Sequence, residues 1–272
     1  MPEGDTIFRA ARRMHAALAG KPVTRFESVY PQLIVVDDQT PIAGRTIERV
    51  SASGKHLIVD FSGDLHLHTH MRMSGSWHLY RPDERWWRPR RDMRVVVSTA
   101  ELLAVGFNIP IADFQTGRQL ERHPDLRQIG PDLLGETFDA AEVLSRMRAR
   151  PDREIADVIL NQRVVSGIGN VFKSEILHVC AVNPFQLVGS LNNGTLENII
   201  AVSLRLLRQN VSPETRGRKT TRLLNPSEQL WVYGRGGEPC RTCGERILYR
   251  KQGLDARGTY WCPTCQPLTK ST

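Results

Sequence analysis

No stretch of the 272 residues approaches the roughly 18 consecutive apolar residues that a membrane-spanning helix needs. The start has no basic-then-apolar secretory signal. Both absences argue against a membrane or secreted protein and for a cytosolic one. Lysine is scarce, at six of the 37 basic residues. Cysteine is nearly missing from the first 239 positions, where Cys180 stands alone in the apolar run "SEILHVCAV" and reads as a core residue. No internal repeat and no long low-complexity tract interrupt the chain.

What is present is positive charge. The formal net charge is +8 and the pI about 9.6. That balance favours a polyanionic partner, most simply nucleic acid. The charge is carried mainly by arginine, whose planar fork suits phosphate. The remaining four cysteines fall within the last 33 residues, and in a reducing compartment such clustering points to metal rather than disulfides. Cys240, Cys243, Cys262 and Cys265 form C-x2-C, eighteen residues, then C-x2-C, the spacing of a closed four-thiolate zinc site. The insert holds two short strand-like runs, "RILYRK" and "GTYW", around "QGLDARG". It reads as a β-hairpin hung from the metal, with Arg257 beside Gly258 at its tip, placed to meet phosphate or solvent.

Patterning divides the rest. Residues 6–19 read as an amphipathic helix with Ile7, Ala11, Met14 and Leu18 on one face. The segments "VTRFESV", "QLIVVDD", "TIERVSASGKHLIVDF", "DLHLHTHM", "SGSWHLY" and "MRVVVSTAELLAVGF" read as strands of a sandwich or barrel. "ERHPDLRQIGPDLLGE" reads as a linker. Helical patterns then run from 139 to 210, followed by a basic loop, "SPETRGRKTTR". The expected organisation is a β domain over 1–120, a linker over 121–138, a helical domain over 139–230 and a metal module over 231–268.

Two local features carry chemistry. Pro2 and Glu3 stand before the first helix. They are either ordinary helix-start residues or reactive groups. In "NQRVVSGIGNVFKSEIL" a helix ends near Gln162, and two glycines break it. Asn170 then falls at an N-cap position, with Lys173 adding charge. A glycine turn feeding a helix start offers N–H groups to an anion. It is also what an ordinary helical corner looks like. His66, His68 and His70 alternate along one strand and share a face. The expectation is a face toward solvent or phosphate rather than a second metal, with His70 the best placed of the three for a phosphate contact.

Taken in order, "MPEG", "SGKHLIVDF", "SGIGNVFKSEIL" and "VYGRGGEPCRTCG…RGTYWCPTCQ" resemble the formamidopyrimidine-DNA glycosylase and endonuclease VIII family over essentially the whole chain. The resemblance implies an α+β multidomain fold: an N-terminal β-sandwich flanked by helices, then a helix-two-turn-helix domain and a β-hairpin zinc finger. It implies a base-excision-repair glycosylase with AP lyase activity, acting on damaged double-stranded DNA as a monomer. One structural Zn2+ is expected, and the implied setting is the bacterial cytoplasm, on the nucleoid. By motif position, Pro2 is the nucleophile once Met1 is removed, Glu3 its acid–base partner, and Lys55, counted with these two as catalytic, contacts phosphate together with Asn170 and Arg257. Arg72 and Met73, in "HMRMSGSW", take the place of the wedge that fills the space left by a flipped base. Purine-specific members begin Pro-Glu-Leu-Pro-Glu and carry a longer loop before "VYGR". This chain has Gly4, Asp5 and Thr6, a shorter "TTRLLNPSEQLWVYGR", and no Arg-x-Phe pair in "VGFNIPIADF". Those departures favour oxidised pyrimidines. Oxidised purines and a catalytically silent DNA-binding member are the alternatives.

Overall fold

The computed structural model describes residues 2–212, 217–221, 223, 225, 227–253 and 256–269. Parts of the basic loop after residue 212, of the segment before "VYGR" and of the hairpin tip (Leu254 and Asp255) lie outside them. The chain divides into two units, Met1–Gln128 and Ile129–Thr272.

The first unit contains α1 (Gly4–Leu18), β1 (Arg25–Ser28), α2 (Pro31–Gln39), β2 (Ile47–Ser53), β3 (His56–Phe61), β4 (Leu65–His70), β5 (Ser76–Tyr80), β6 (Met93–Ser98), β7 (Leu103–Phe107), β8 (Ile111–Gln115), α3 (Gly117–Arg122) and α4 (Pro124–Arg127). The strands make two antiparallel four-stranded sheets, β1-β6-β7-β5 and β2-β3-β4-β8. Phe26, Val95 and Val97 of one sheet and Leu57, Val59, Phe61 and Leu67 of the other share a single buried cluster. This is the expected sandwich. Helix α1 adds Ile7, Ala11, Met14 and Leu18 to that cluster. Each large apolar side chain so buried contributes about 1.5–3 kcal/mol.

Two expectations fail here. "QLIVVDD" is helix α2, not a strand. Pro31 presets the first turn, and Leu33 alone of the run is buried, while Ile34 and Val35 are exposed. Gln32 Nε2 donates to Ala112 O at 3.1 Å and Asp37 Oδ1 accepts from Ile42 N at 2.8 Å, so tertiary contacts override the β-branched signal. The proposed linker also carries structure. Thr116 and Gln119 form a capping box at α3, α4 follows at Pro124, and the division between units falls after Gln128. Strand β8 was not anticipated, because Pro110 and a short "IADFQ" mask its alternation.

The second unit contains α5 (Ala140–Arg148), α6 (Ile155–Leu160), α7 (Asn170–Val179), α8 (Asn193–Gln209), β9 (Leu248–Gln252) and β10 (Arg257–Trp261). The helices enclose a core that includes Val158, Ile159, Phe172, Ile176, Leu177, Ile199 and Leu206. Helix α6 stops at Leu160, earlier than expected. Gln162 organises the following turn: its Nε2 donates to Leu160 O and Ile168 O at 2.8 and 2.9 Å, and its Oε1 accepts from Gly167 N at 3.1 Å. Gly167 has φ +102°, a conformation that favours glycine. β9 and β10 form the antiparallel hairpin. Among the described residues no helix is long and apolar enough to cross a membrane.

Candidate active site and nucleic-acid interface

In the first unit, Pro2 lies ahead of Glu3, and Glu3 is the N-cap of α1. The proline therefore is not the first helical residue. Glu3 O accepts from Thr6 N and Ile7 N at 3.0 and 3.1 Å, but its carboxylate makes no capping hydrogen bond. The residue is nevertheless 0 % exposed. A buried carboxylate is costly, and helix capping does not account for this one. Asp5 is equally buried and lies 3.7 Å from Arg9.

Lys55 sits in the two-residue turn between β2 and β3, where Ser53 pairs with His56 and Gly54 takes φ +56°. A glycine at the first turn position suits such a hairpin. His56 pairs in turn with His70, the last residue of β4. The register thus brings the Lys55 turn and the loop holding Arg72 and Met73 out at the same end of one sheet. Arg72 has φ +43°, and its N–H donates to His70 Nδ1 at 3.0 Å. Gly75 closes the loop against Met71, where a Cβ would meet the Met71 carbonyl oxygen at 2.7 Å. Met71 is buried, whereas Met73 is 58 % exposed.

The His-rich face is not a solvent-facing stripe. His68 is 1 % exposed. Its Nδ1 lies 2.9 Å from Asp113 Oδ1 and its Nε2 2.7 Å from His56 Nδ1. His66 is held by Asp60 at 2.6 Å. Burial, then the neighbouring histidines, push His56 down to about 3. Burial, followed by Lys55 and Arg72, pushes His70 down to about 4. His70 is therefore neutral near pH 7. It supports the Arg72 turn as a hydrogen-bond acceptor rather than meeting phosphate as a cation.

In the second unit, α7 is buried along nearly its whole length and wired to the hairpin. Asn170 is the first helical residue, not the N-cap, which is Gly169. Its Nδ2 donates to Gly258 O at 2.7 Å, which sets Asn170 beside Arg257, the half-buried first residue of β10. Its Oδ1 is buried with no hydrogen-bond partner. Gly258 packs against Tyr249, whose ring a Cβ would meet at 2.8 Å. Lys173 must be corrected: it is 1 % exposed, and its ammonium donates to Thr259 Oγ1 at 2.6 Å and Gly258 O at 3.4 Å. It braces the hairpin from inside and presents no surface charge to phosphate.

Sequence reasoning missed Glu175. It is fully buried and accepts from the backbone N–H groups of Trp231, Val232 and Tyr233 at 2.7, 2.9 and 2.8 Å, and from the Thr220 hydroxyl. Such a group has no local signature, because its partners lie 45 to 58 residues away. Gln266 was missed likewise. It accepts from Cys262 N at 3.1 Å and donates to Val182 O at 2.8 Å.

The four cysteine sulfurs cluster within 4.8 Å of one another. Cys240 and Cys265 Sγ are 3.9 Å apart, and Cys243 and Cys262 Sγ 3.4 Å. Tetrahedral thiolates bonded at about 2.3 Å lie about 3.8 Å from each other, so the donor set fits a single closed metal site. Thr242 N and Cys265 N donate to Cys240 Sγ and Cys262 Sγ, each at 3.4 Å. Burial raises the Cys240 thiol, but backbone N–H donors of Thr242 and Cys243 and the neighbouring thiols outweigh it and bring it down to about 7. Cys180, half-buried and apart from the cluster, is pushed up to about 12 by burial, consistent with an inert core thiol.

The first unit is a β-sandwich with the buried Glu3 beside Pro2, and the second a helical unit carrying a four-cysteine hairpin. Residues 1–114 match the formamidopyrimidine-DNA glycosylase N-terminal domain, 129–222 its H2TH domain, and 237–268 the zinc finger found in FPG and IleRS. The chain belongs to the formamidopyrimidine-DNA glycosylase and endonuclease 8 family. It is 40 % identical over 269 residues to a probable endonuclease 8 2 of Streptomyces coelicolor, covering 98 % of this chain and 94 % of that one. It is 36 % identical to the DNA-(apurinic or apyrimidinic site) lyase Nei2 of Mycolicibacterium smegmatis, covering 98 % and 99 %. It is 33 % identical to endonuclease 8 of Escherichia coli, covering 98 % and 100 %. Its fold matches that of the Lactococcus lactis formamidopyrimidine-DNA glycosylase, a structure with DNA containing an AP site, at a TM-score of 0.83 and 23 % identity over 98 % of this chain and 100 % of that one.

Proposed function

We propose that the chain is a bifunctional DNA glycosylase and AP lyase that removes oxidised pyrimidines through an N-terminal proline Schiff base. The observation that carries this reading is the start of α1. Pro2 precedes the cap, and the Glu3 carboxylate beside it is buried at the head of the helix. An α-amino group titrates near 7.7–8.0, well below the roughly 10.4 of lysine, so more of it is a neutral nucleophile at pH 7.

With Met1 removed, the Pro2 nitrogen lone pair attacks C1′, and the bond to the base breaks with its electrons. The attacking nitrogen gives up its N–H proton to the departing base, and its lone pair then forms an iminium with C1′ as the C1′–O4′ bond opens, with protonated Glu3 supplying the proton to O4′. The iminium draws electrons, so the C2′ proton passes to the Glu3 carboxylate and the 3′ phosphate departs with its bonding pair. A second elimination releases the 5′ phosphate. Lys55, Asn170 and Arg257 hold backbone phosphates, while Arg72 and Met73 fill the stack vacated by the flipped nucleotide. The four thiolates hold Zn2+, which shapes the hairpin that presents Arg257.

The pyrimidine assignment is supported by the Gly4-Asp5-Thr6 start and by the endonuclease 8 names of the relatives at 33–40 % identity. Borohydride trapping on thymine-glycol, dihydrouracil and 8-oxoguanine duplexes tests it. A covalent adduct is expected, strongest with the pyrimidine lesions. Preference for 8-oxoguanine opposite C reverses the substrate assignment, and binding without any adduct removes the catalytic one.

A further inference from the structure

The first unit holds a second cluster of ligand-type side chains that the glycosylase reading does not use. His68 of β4, Asp113 of β8 and His123, at the junction of α3 and α4, bring one donor atom each within 4.8 Å of one another. His68 and Asp113 are register partners on adjacent strands, so the sheet itself fixes two of the three donors. The third arrives from the helical corner: the His68 and His123 rings lie 4.6 Å apart. His123 Nδ1 is buried with no hydrogen-bond partner, although a buried ring nitrogen normally has one. A hydrogen-bonded chain from Asp113 through His68 to His56 accounts for two of the three donors and leaves the His123 nitrogen unexplained.

We infer that His68, Asp113 and His123 form a binding site for a divalent cation of the zinc class. Two imidazoles and a carboxylate are the borderline donors such an ion takes, and three protein ligands leave one position open. The inference is independent of the glycosylase chemistry and separate from the four-cysteine site. Its consequence is mechanical and directional. The ion ties the α3–α4 corner to β4 and β8. It also occupies His68 Nδ1, which moves the His68 proton to Nε2, where it is donated to His56 Nδ1. Without the ion, His68 Nδ1–H donates to Asp113 and the His56 bond runs the other way. The metal state therefore sets the tautomer of the residue next to Lys55.

The test uses the full-length protein equilibrated with Zn2+ alone, dialysed against a fixed low concentration of free zinc, and analysed by plasma mass spectrometry. Wild type is expected to hold two zinc ions per chain, and His123→Ala and Asp113→Asn one. Wild-type Tm is expected to rise with zinc beyond saturation of the cysteine site, and the variants' Tm is not. His123 is only half-buried, so its truncation leaves the sandwich core intact, and circular dichroism of the variant checks this. One zinc per chain in wild type, or two retained in a folded His123→Ala protein, overturns the inference.

Discussion

The two units present their candidate DNA contacts by different physical means. In the first, Lys55 and the Arg72–Met73 loop stand on turns at the end of a sheet whose rigidity comes from an apolar core shared by two sheets. In the second, Asn170 and Arg257 are held by polar wiring. A buried helix meets the hairpin through Asn170, Lys173 and Ser174, and the segments flanking the hairpin through Glu175 and His178, with four cysteines clustered in the same module. The hairpin's own apolar cluster is small, with Val232, Ile247 and two of the cysteines at its centre. Loss of one apolar group leaves a cavity, whereas loss of one member of a polar network strands another buried polar group.

The largest expected effect separates chemistry from both scaffolds. Pro2 lies outside α1 and its cap, so Pro2→Gly should leave the melting curve of the protein unchanged while reducing borohydride-trapped adduct to background. Glu3→Gln should lower turnover by about 10²–10⁴-fold, the usual worth of a placed acid–base group. Gel quantitation of trapped complex against a calibrated substrate measures both. Equal trapping by Pro2→Gly places the nucleophile elsewhere.

The next effect breaks the comparison between units. Structural four-thiolate sites contribute folding free energy outright. Cys243→Ser, or prolonged chelation, should unfold the hairpin and abolish DNA binding, while residues 1–128 stay folded. Limited proteolysis read by mass spectrometry should show cuts confined to the second unit. Early cuts inside the sandwich would mean that the units do not differ in this way.

Much of this contrast was legible in the sequence, and the reason differs by region. The sandwich strands showed because alternation and turn residues are local signals. The metal site showed because its ligand spacing is short and stereotyped. Helix α2 was misread because Ile34, Val35 and Val36 mimic a strand, and only the tertiary bonds of Gln32 and Asp37 decide against it. Lys173 was misread because charge in a sequence says nothing about which way a helix faces. Its partners, Gly258 and Thr259, are 85 and 86 residues distant. The burial of His68 was hidden for the same reason, since the corner bearing His123 read as linker. Glu175 and Gln266 serve partners far along the chain and carry no motif at all.

Lys173 and Lys55 allow the comparison to be sharpened with one residue type. Lys173→Met removes a buried ammonium and leaves Thr259 and Gly258 O without that donor, so a loss of about 1–3 kcal/mol in stability is expected. Its slope of log affinity against log salt should match wild type among molecules that remain folded. Lys55→Ala should do the opposite. Its stability should stay within about 0.5 kcal/mol, and the salt slope of DNA binding should fall by about 1. Urea titration and fluorescence anisotropy at several salt concentrations measure the two quantities on the same samples. A reduced salt slope in Lys173→Met would return that residue to the DNA surface.

The smallest effect concerns the exposed tip of the first unit. Met73 is 58 % exposed, while Met71, two residues earlier, is buried in the sandwich core. Met71→Ala should cost about 2–5 kcal/mol through the cavity it leaves. Met73→Ala should change stability by less than about 0.5 kcal/mol. If Met73 is a wedge, its truncation lowers the rate of base removal from paired duplex but not of strand cleavage at a preformed abasic site. The reason is that only the former pays to unstack and extrude an intact nucleotide. Single-turnover assays on the two substrates give the ratio directly. An equal loss on both would make Met73 a general DNA contact, and no loss on either would leave the wedge to Arg72.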